Sequence, residues 1–147
     1  MEKVKFIKLN ENATVPGYGS ACAAGADLYA CTGGETVTFL PGETKMVHTG
    51  IALQIPDGLV GLIYARSGIA TKRGLAPANK VGVIDSDYRG EIMVSLHNHS
   101  TKEQSIEDNE RVAQIVFAPY VAAEFEEVDS LDDTDRGAGG FGSTGSK

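Results

Sequence analysis

Tryptophan is absent from this 147-residue chain, which has only 5 prolines and 2 cysteines. Cys22 and Cys31 are too few for a disulfide framework, and no C-x-x-C spacing suggests zinc or redox chemistry, so free thiols are expected. Basic residues are scarce: 13 Lys and Arg against 20 Asp and Glu leave a net charge of −7. Polymer phosphate backbones are bound by rows of Lys and Arg, so the acidic balance excludes a nucleic-acid polymer as the expected partner. No apolar run approaches the ~20 residues of a membrane helix. The opening M-E-K-V-K-F-I-K-L-N has neither the apolar core nor the cleavage site of a signal peptide. The expectation is a cytoplasmic domain with no membrane partner. Walker A, H-E-x-x-H and G-x-S-x-G are also missing, which removes the P-loop, zincin and α/β-hydrolase readings.

What the chain has instead is glycine, 18 residues of 147. The length suits one domain, large enough to hold a core without disulfides or metal. The hydrophobic period is mostly two. Ile51, Leu53 and Ile55 alternate with small or polar residues, and short apolar runs cover 59–64, 92–96 and 113–118. Val37, Phe39, Met46 and Val47 fall in further short runs. Turn signals separate them, at Gly33-Gly34, Pro41-Gly42, Pro56-Asp57-Gly58 and Asp85-Ser86-Asp87. Short strands with regular turns predict an all-β sandwich or barrel. One short helix is expected over 67–73. The segment 121–128, V-A-A-E-F-E-E-V, alternates weakly and is read as a strand. Residues 129–135 are an acidic connector, and 136–147 form a glycine-dense tail carrying Arg136 and Phe141.

Five segments carry possible chemistry, and each has a plainer reading. Gly137, Gly139 and Gly142 satisfy G-x-G-x-x-G, but a dinucleotide site needs a helix after the motif, and here five residues remain. Composition alone favours a linker. Glycines can nevertheless wrap backbone N–H groups around phosphates, an arginine can fork onto one, and an aromatic ring can stack on a base. In 82–90, G-V-I-D-S-D-Y-R-G, two carboxylates, a phenol and an arginine crowd a strand–turn–strand. That is either an ordinary hairpin tip or a general base on a rigid turn. Arg66-Ser67-Gly68 ends an apolar strand, as an anion site or as a helix cap with a surface arginine. Arg111-Val112-Ala113-Gln114 opens another strand, where the plain reading is a solvated edge. His97 and His99 share a strand face with no third ligand at partner spacing.

Taken in order, A-G-A-D-L-Y at 24–29, R-S-G at 66–68, G-V-I-D-S-D-Y-R-G at 82–90, R-V-A-Q at 111–114 and R-G-A-G-G-F-G-S-T-G at 136–145 closely resemble the five motifs of the trimeric dUTPases. The resemblance spans nearly the whole chain, with no substitution at a key motif position. It implies an all-β, jelly-roll-like distorted barrel or sandwich with a short helix and a flexible glycine-rich C-terminal arm. Residues 1–128 would form the β domain, and 129–147 the connector and an arm closing an active site. It implies a homotrimer with sites at subunit interfaces. The implied reaction is Mg²⁺-dependent hydrolysis of dUTP to dUMP and pyrophosphate, which keeps uracil out of DNA and supplies dUMP for dTMP synthesis. Asp85 would activate the water that attacks the α-phosphorus. Tyr88 would pack under the deoxyribose and exclude a 2′-hydroxyl. Asn79 and the backbone at Gly82 would read uracil, and Arg66, Ser67, Gly68 and Gln114 would hold phosphate oxygens. Asp27 would act indirectly on the Mg²⁺–triphosphate. Arg136, Phe141, Gly142, Ser143 and Thr144 would close over the ligand. Two rivals remain. A dCTP deaminase relative would carry a second serine where Gly68 stands, and a nucleotide-switched regulatory protein would carry inserted segments.

Overall fold

The computed structural model describes residues 2–140. Its elements are β1 (Lys5–Lys8), β2 (Gly17–Tyr18), β3 (Ala26–Tyr29), β4 (Val37–Phe39), β5 (Thr44–Gln54), β6 (Leu59–Tyr64), α1 (Ser67–Arg73), β7 (Leu75–Pro77), β8 (Gly82–Ile84), β9 (Glu91–Asn98), β10 (Gln104–Ile106) and β11 (Arg111–Pro119). The strands form a four-stranded sheet, β1-β5-β9-β7, and a five-stranded sheet, β2-β3-β11-β6-β8. A small β10-β4 pair completes them, and every pairing is antiparallel. This is a jelly-roll-like β fold: the period of two predicts its all-β character, and the family resemblance implies the jelly-roll-like form.

The alternation is clearest in β9, where Ile92, Val94, Leu96 and Asn98 are buried and the residues between them are half-buried. Ile92, Val94 and Leu96 meet Val47 and Ile51 of β5, Leu28 of β3 and Ile115 of β11 in one cluster that joins the two sheets. Each such aliphatic side chain contributes about 1.5–3 kcal/mol by leaving water. The cluster's one buried amide is satisfied, since Asn98 Nδ2 donates to Phe39 O and Lys102 O.

The run at 46–47 and the alternation from Ile51 to Leu53 belong to a single strand. β5 carries both because its register against β9 shifts between His48 and Ala52. Gly50 makes that bulge with a φ of 66°. A Cβ there would sit 2.7 Å from that of Ala13, so only glycine fits both the backbone and the space.

The helix occupies 67–73 as the sequence predicts, and Gly74 ends it in the left-handed region with its N–H on Ala70 O. The strand expected at 121–128 is not formed. The segment is exposed and has no ladder partner, with Phe125 98% accessible. Alternation produces a strand only where an edge is offered, and within one chain none reaches it. Among the described residues no helix is long and apolar enough to cross a membrane. Both cysteines are free. Burial, with Asp108 and Glu91 nearby, pushes the Cys31 thiol above its ordinary value.

Candidate active site

Register assembles the first half of the site. On the central strand β11, Gln114 lies opposite Asp27 of β3 on one side and Tyr64 of β6 on the other. Arg66 follows two residues after Tyr64, where β6 gives way to α1. A bulge between Arg111 and Ala113 turns Arg111 towards the same row. Asp27 is buried, and its two oxygens are shared out: Oδ1 accepts from Arg66 Nε at 2.6 Å and Oδ2 from Arg111 Nη1 at 3.2 Å. One carboxylate therefore aligns two guanidinium groups.

A polar recess of about 240 Å³ opens beside them, lined by Gly19, Gly25, Asp27, Arg66, Ser67, Gly68, Arg111 and Gln114 among others. Two cations held by one anion leave net positive potential at this spot in an acidic chain. Gln114 is fixed across the floor, its Nε2 donating to Ala65 O at 2.9 Å. Gly25 makes room for it, since a Cβ there would come within 3.0 Å of Gln114 Cδ. Forked guanidinium groups beside a polar recess have the chemistry to receive an anion with several oxygens, and this group of residues forms a cradle of that shape.

The second half is local. In the turn between β8 and β9, Tyr88 N donates to Asp85 O at 3.2 Å, and Arg89 Nη1 donates to Ser86 O and Tyr88 O at 2.6 and 2.9 Å. The turn is thus closed by backbone oxygens, and the Asp85 side chain stays exposed. Asp85, Ser86 and Asp87 line a recess of about 560 Å³ with Leu59, Val60, Leu62, Val83 and Tyr120. Tyr88 folds back, its hydroxyl donating to Glu91 O at 3.0 Å. Asn79 lies against Gly82, whose missing Cβ would be 3.2 Å from the Asn79 amide nitrogen.

Behind the turn, Glu91 receives hydrogen bonds from Gly50 N at 2.7 Å and His48 Nδ1 at 2.8 Å. Burial opposes its ionisation, but these bonds outweigh burial and hold the carboxyl below its ordinary value.

The two halves do not meet within one chain. Gln114 pairs with Tyr64, whereas Ile84, the residue before Asp85, pairs with Gly61. That is three residues, about 10 Å, along β6. The two recesses share no lining residue.

The structure therefore groups Asp27, Arg66, Ser67, Gly68 and Gln114 together, and separately Asn79 with Gly82 and Asp85 with Tyr88. Arg136 joins neither group; its Nε donates to Gly139 O at 2.9 Å in an exposed turn. Phe141, Gly142, Ser143 and Thr144 lie outside the described residues. The sequence reading missed Arg111 as a site residue. Its signal was the buried carboxylate of Asp27, which can hold two cations. His97 Nδ1 is taken by Thr44 Oγ1 at 2.7 Å, and among the described residues no group of three His, Cys, Asp or Glu could hold a metal ion.

The chain is similar to known proteins over most of its length. A family model described as dUTPase matches residues 11–145. The deoxyuridine 5'-triphosphate nucleotidohydrolase of Nautilia profundicola is 51% identical, covering 97% of this chain and 99% of the relative. That of Hahella chejuensis is 47% identical, covering 99% and 95%. The structure of the Staphylococcus bacteriophage 80alpha dUTPase with dUPNHPP superposes with a TM-score of 0.89 at 28% identity, covering 99% of each chain. A point mutant of the dUTPase from phage phi11 of S. aureus, described as coordinating a structural Mg(II) ion, superposes at 0.79 with 25% identity, covering 88% of this chain and 99% of that one.

Proposed function

The chain belongs to the dUTPase family, and on that premise we infer that it is a dUTP diphosphatase, hydrolysing dUTP to dUMP and pyrophosphate. The observation that carries the reading is the cradle of Arg66 and Arg111 cross-braced by Asp27. Its guanidinium groups, with Ser67, Gly68 and Gln114, take the non-bridging oxygens of the triphosphate. Phosphoryl transfer gains most from such fixed positive charge, because it need not reorganise as charge shifts towards the leaving group.

Asp85 accepts a proton from water as that water's oxygen bonds to the α-phosphorus, and the bond to the bridging oxygen breaks to release pyrophosphate. A general base of this kind contributes roughly 10²–10⁴-fold. Asn79 and the Gly82 backbone read the uracil edge. A site built for the C4 carbonyl leaves polar groups unpaired against the amino group of cytosine, a mismatch worth up to about 10⁴–10⁵. Tyr88 forms the floor under the deoxyribose. Residues 1–128 form the β domain, and 129–147 the connector and arm. Arg136, Phe141, Gly142, Ser143 and Thr144 close over the ligand from that arm.

The roughly 10 Å between cradle and hairpin supports a site shared between copies, with the cradle of one chain facing the hairpin of another in a homotrimer. The donor set suits Mg²⁺ carried on the triphosphate. Both Asp27 oxygens are engaged by arginines, so Asp27 would act on the ion only indirectly, through the guanidinium groups it aligns beside the triphosphate. When bound, the ion neutralises phosphate charge. A soluble nucleotide substrate agrees with action in the cytoplasm. Pyrophosphate release from dUTP, dCTP, dTTP and UTP tests the reading: dUTP should be turned over far faster than the other three, and equal rates would refute it.

A further inference from the structure

One glycine in the hairpin carries an unusual geometric burden. A Cβ built on Gly90 would overlap the Tyr88 hydroxyl and lie 2.6 Å from Cζ and 3.0 Å from Cε2 of the same ring. Its three nearest neighbours all belong to Tyr88. The Gly90 backbone lies outside the left-handed region, so nothing in the main chain requires glycine there. The requirement comes from the ring alone, which lies back over its own turn and reaches across Gly90 to donate to Glu91 O at 3.0 Å.

We propose that Gly90 is a specificity-determining positioning residue: its missing side chain lets the Tyr88 ring seat against the turn, at the height that admits a deoxyribose and refuses a ribose. The inference rests on the reading of Tyr88 as the sugar floor. Excluding one hydroxyl by shape needs a surface that neither retreats nor tilts. Here the ring is backed on one side by the bare Gly90 backbone and tied at its tip to Glu91. A methyl at position 90 removes both supports, because the ring must rotate off the turn and its hydroxyl leaves Glu91 O.

The test is a double-mutant cycle on the full chain, reading the ratio of kcat/KM for dUTP over UTP in wild type, Gly90→Ala, Tyr88→Ala and the double variant. The ratio should fall by about 10–200-fold in Gly90→Ala, the scale at which a pocket distinguishes one small group. Adding Gly90→Ala to Tyr88→Ala should change it no further, since the three atoms nearest the methyl all belong to the ring that is gone. If Gly90→Ala fails to fold, the double variant should fold, because the clash is gone. A retained ratio in Gly90→Ala alongside a lost ratio in Tyr88→Ala overturns the role of Gly90 and leaves Tyr88 as floor. A retained ratio in Tyr88→Ala overturns both. A double variant that is less selective than Tyr88→Ala, or unfolded, makes Gly90 structural and overturns the proposal.

Discussion

The cradle and the hairpin are built by opposite means. Asp27, Arg66, Arg111 and Gln114 come from distant parts of the chain and meet because three strands are in register. Their polar groups hold one another, around a carboxylate whose side chain is 12% exposed. Asp85, Tyr88 and Arg89 sit within one turn, braced by the turn's own backbone, with Asp85 left in solvent. In the cradle, therefore, the interactions that shape the site also help hold the sheet. In the hairpin they do not, so chemistry and stability should separate there. Substitution can break this contrast.

The largest effect is expected at Asp85. Asp85→Asn should lower kcat by about 10²–10⁴-fold, the worth of a general base. The thermal midpoint should stay near that of the parent, since an exposed side chain away from caps and core changes stability by about 0.5 kcal/mol or less. Single-turnover kinetics beside a melting curve checks both, and a large loss of stability would erase the contrast. Mixing sharpens it. Refolding Asp85→Asn chains together with Arg66→Ala chains should recover activity that neither shows alone. An intact cradle on one chain then faces an intact hairpin on another in about a quarter of the sites of an equal mixture. A mixture as inactive as its components would place both halves in a single chain.

Asp27→Asn comes next, and here stability and binding should fall together. Removing the charge leaves two guanidinium groups aligned by a neutral amide. With Arg111 51% exposed at its side chain, solvent screens part of the loss, and about 1–3 kcal/mol of destabilisation is expected. KM for dUTP should rise about tenfold, equal to roughly 1.4 kcal/mol. An unchanged melting curve with raised KM would mean that the cradle is a binding device alone.

This contrast also explains what the sequence could reveal. The hairpin is contiguous, so 82–90 displays its carboxylates, phenol and arginine in one window. The helix at 67–73 was equally legible because it too lies in one contiguous window, S-G-I-A-T-K-R. The Asp27–Arg111 bond spans 84 positions and depends on a bulge, which a period-two pattern does not record. For the same reason Arg111 looked like an edge residue, and the runs on either side of Gly50 looked like two strands. The segment 121–128 erred the other way: its alternation is real, but a strand needs a neighbour. Gly90 and Gly25 were silent because what matters is the side chain each one makes room for.

The smallest effect tests the joint between the hairpin and the rest of the fold. Glu91 begins β9 directly after the turn, and its carboxylate holds the Gly50 bulge and His48. Burial works against its charge, yet the hydrogen bonds from His48 and Gly50 keep its folded value below the ordinary 4.5. A depressed value stabilises the fold above the unfolded pKa, and that contribution is lost as pH falls through the folded one. Glu91→Gln retains an acceptor for the Gly50 N–H but carries no titratable charge. At neutral pH it should lie within about 1 kcal/mol of the parent, because His48 is largely solvent-exposed and screened. Below the ordinary carboxylate value the parent should lose stability more steeply than the variant. Urea midpoints measured from neutral to acid pH would reveal the difference in slope. Parallel curves would mean that the bulge is held by Gly50 and its packing alone, and that the hairpin joins the sheet without help from charge.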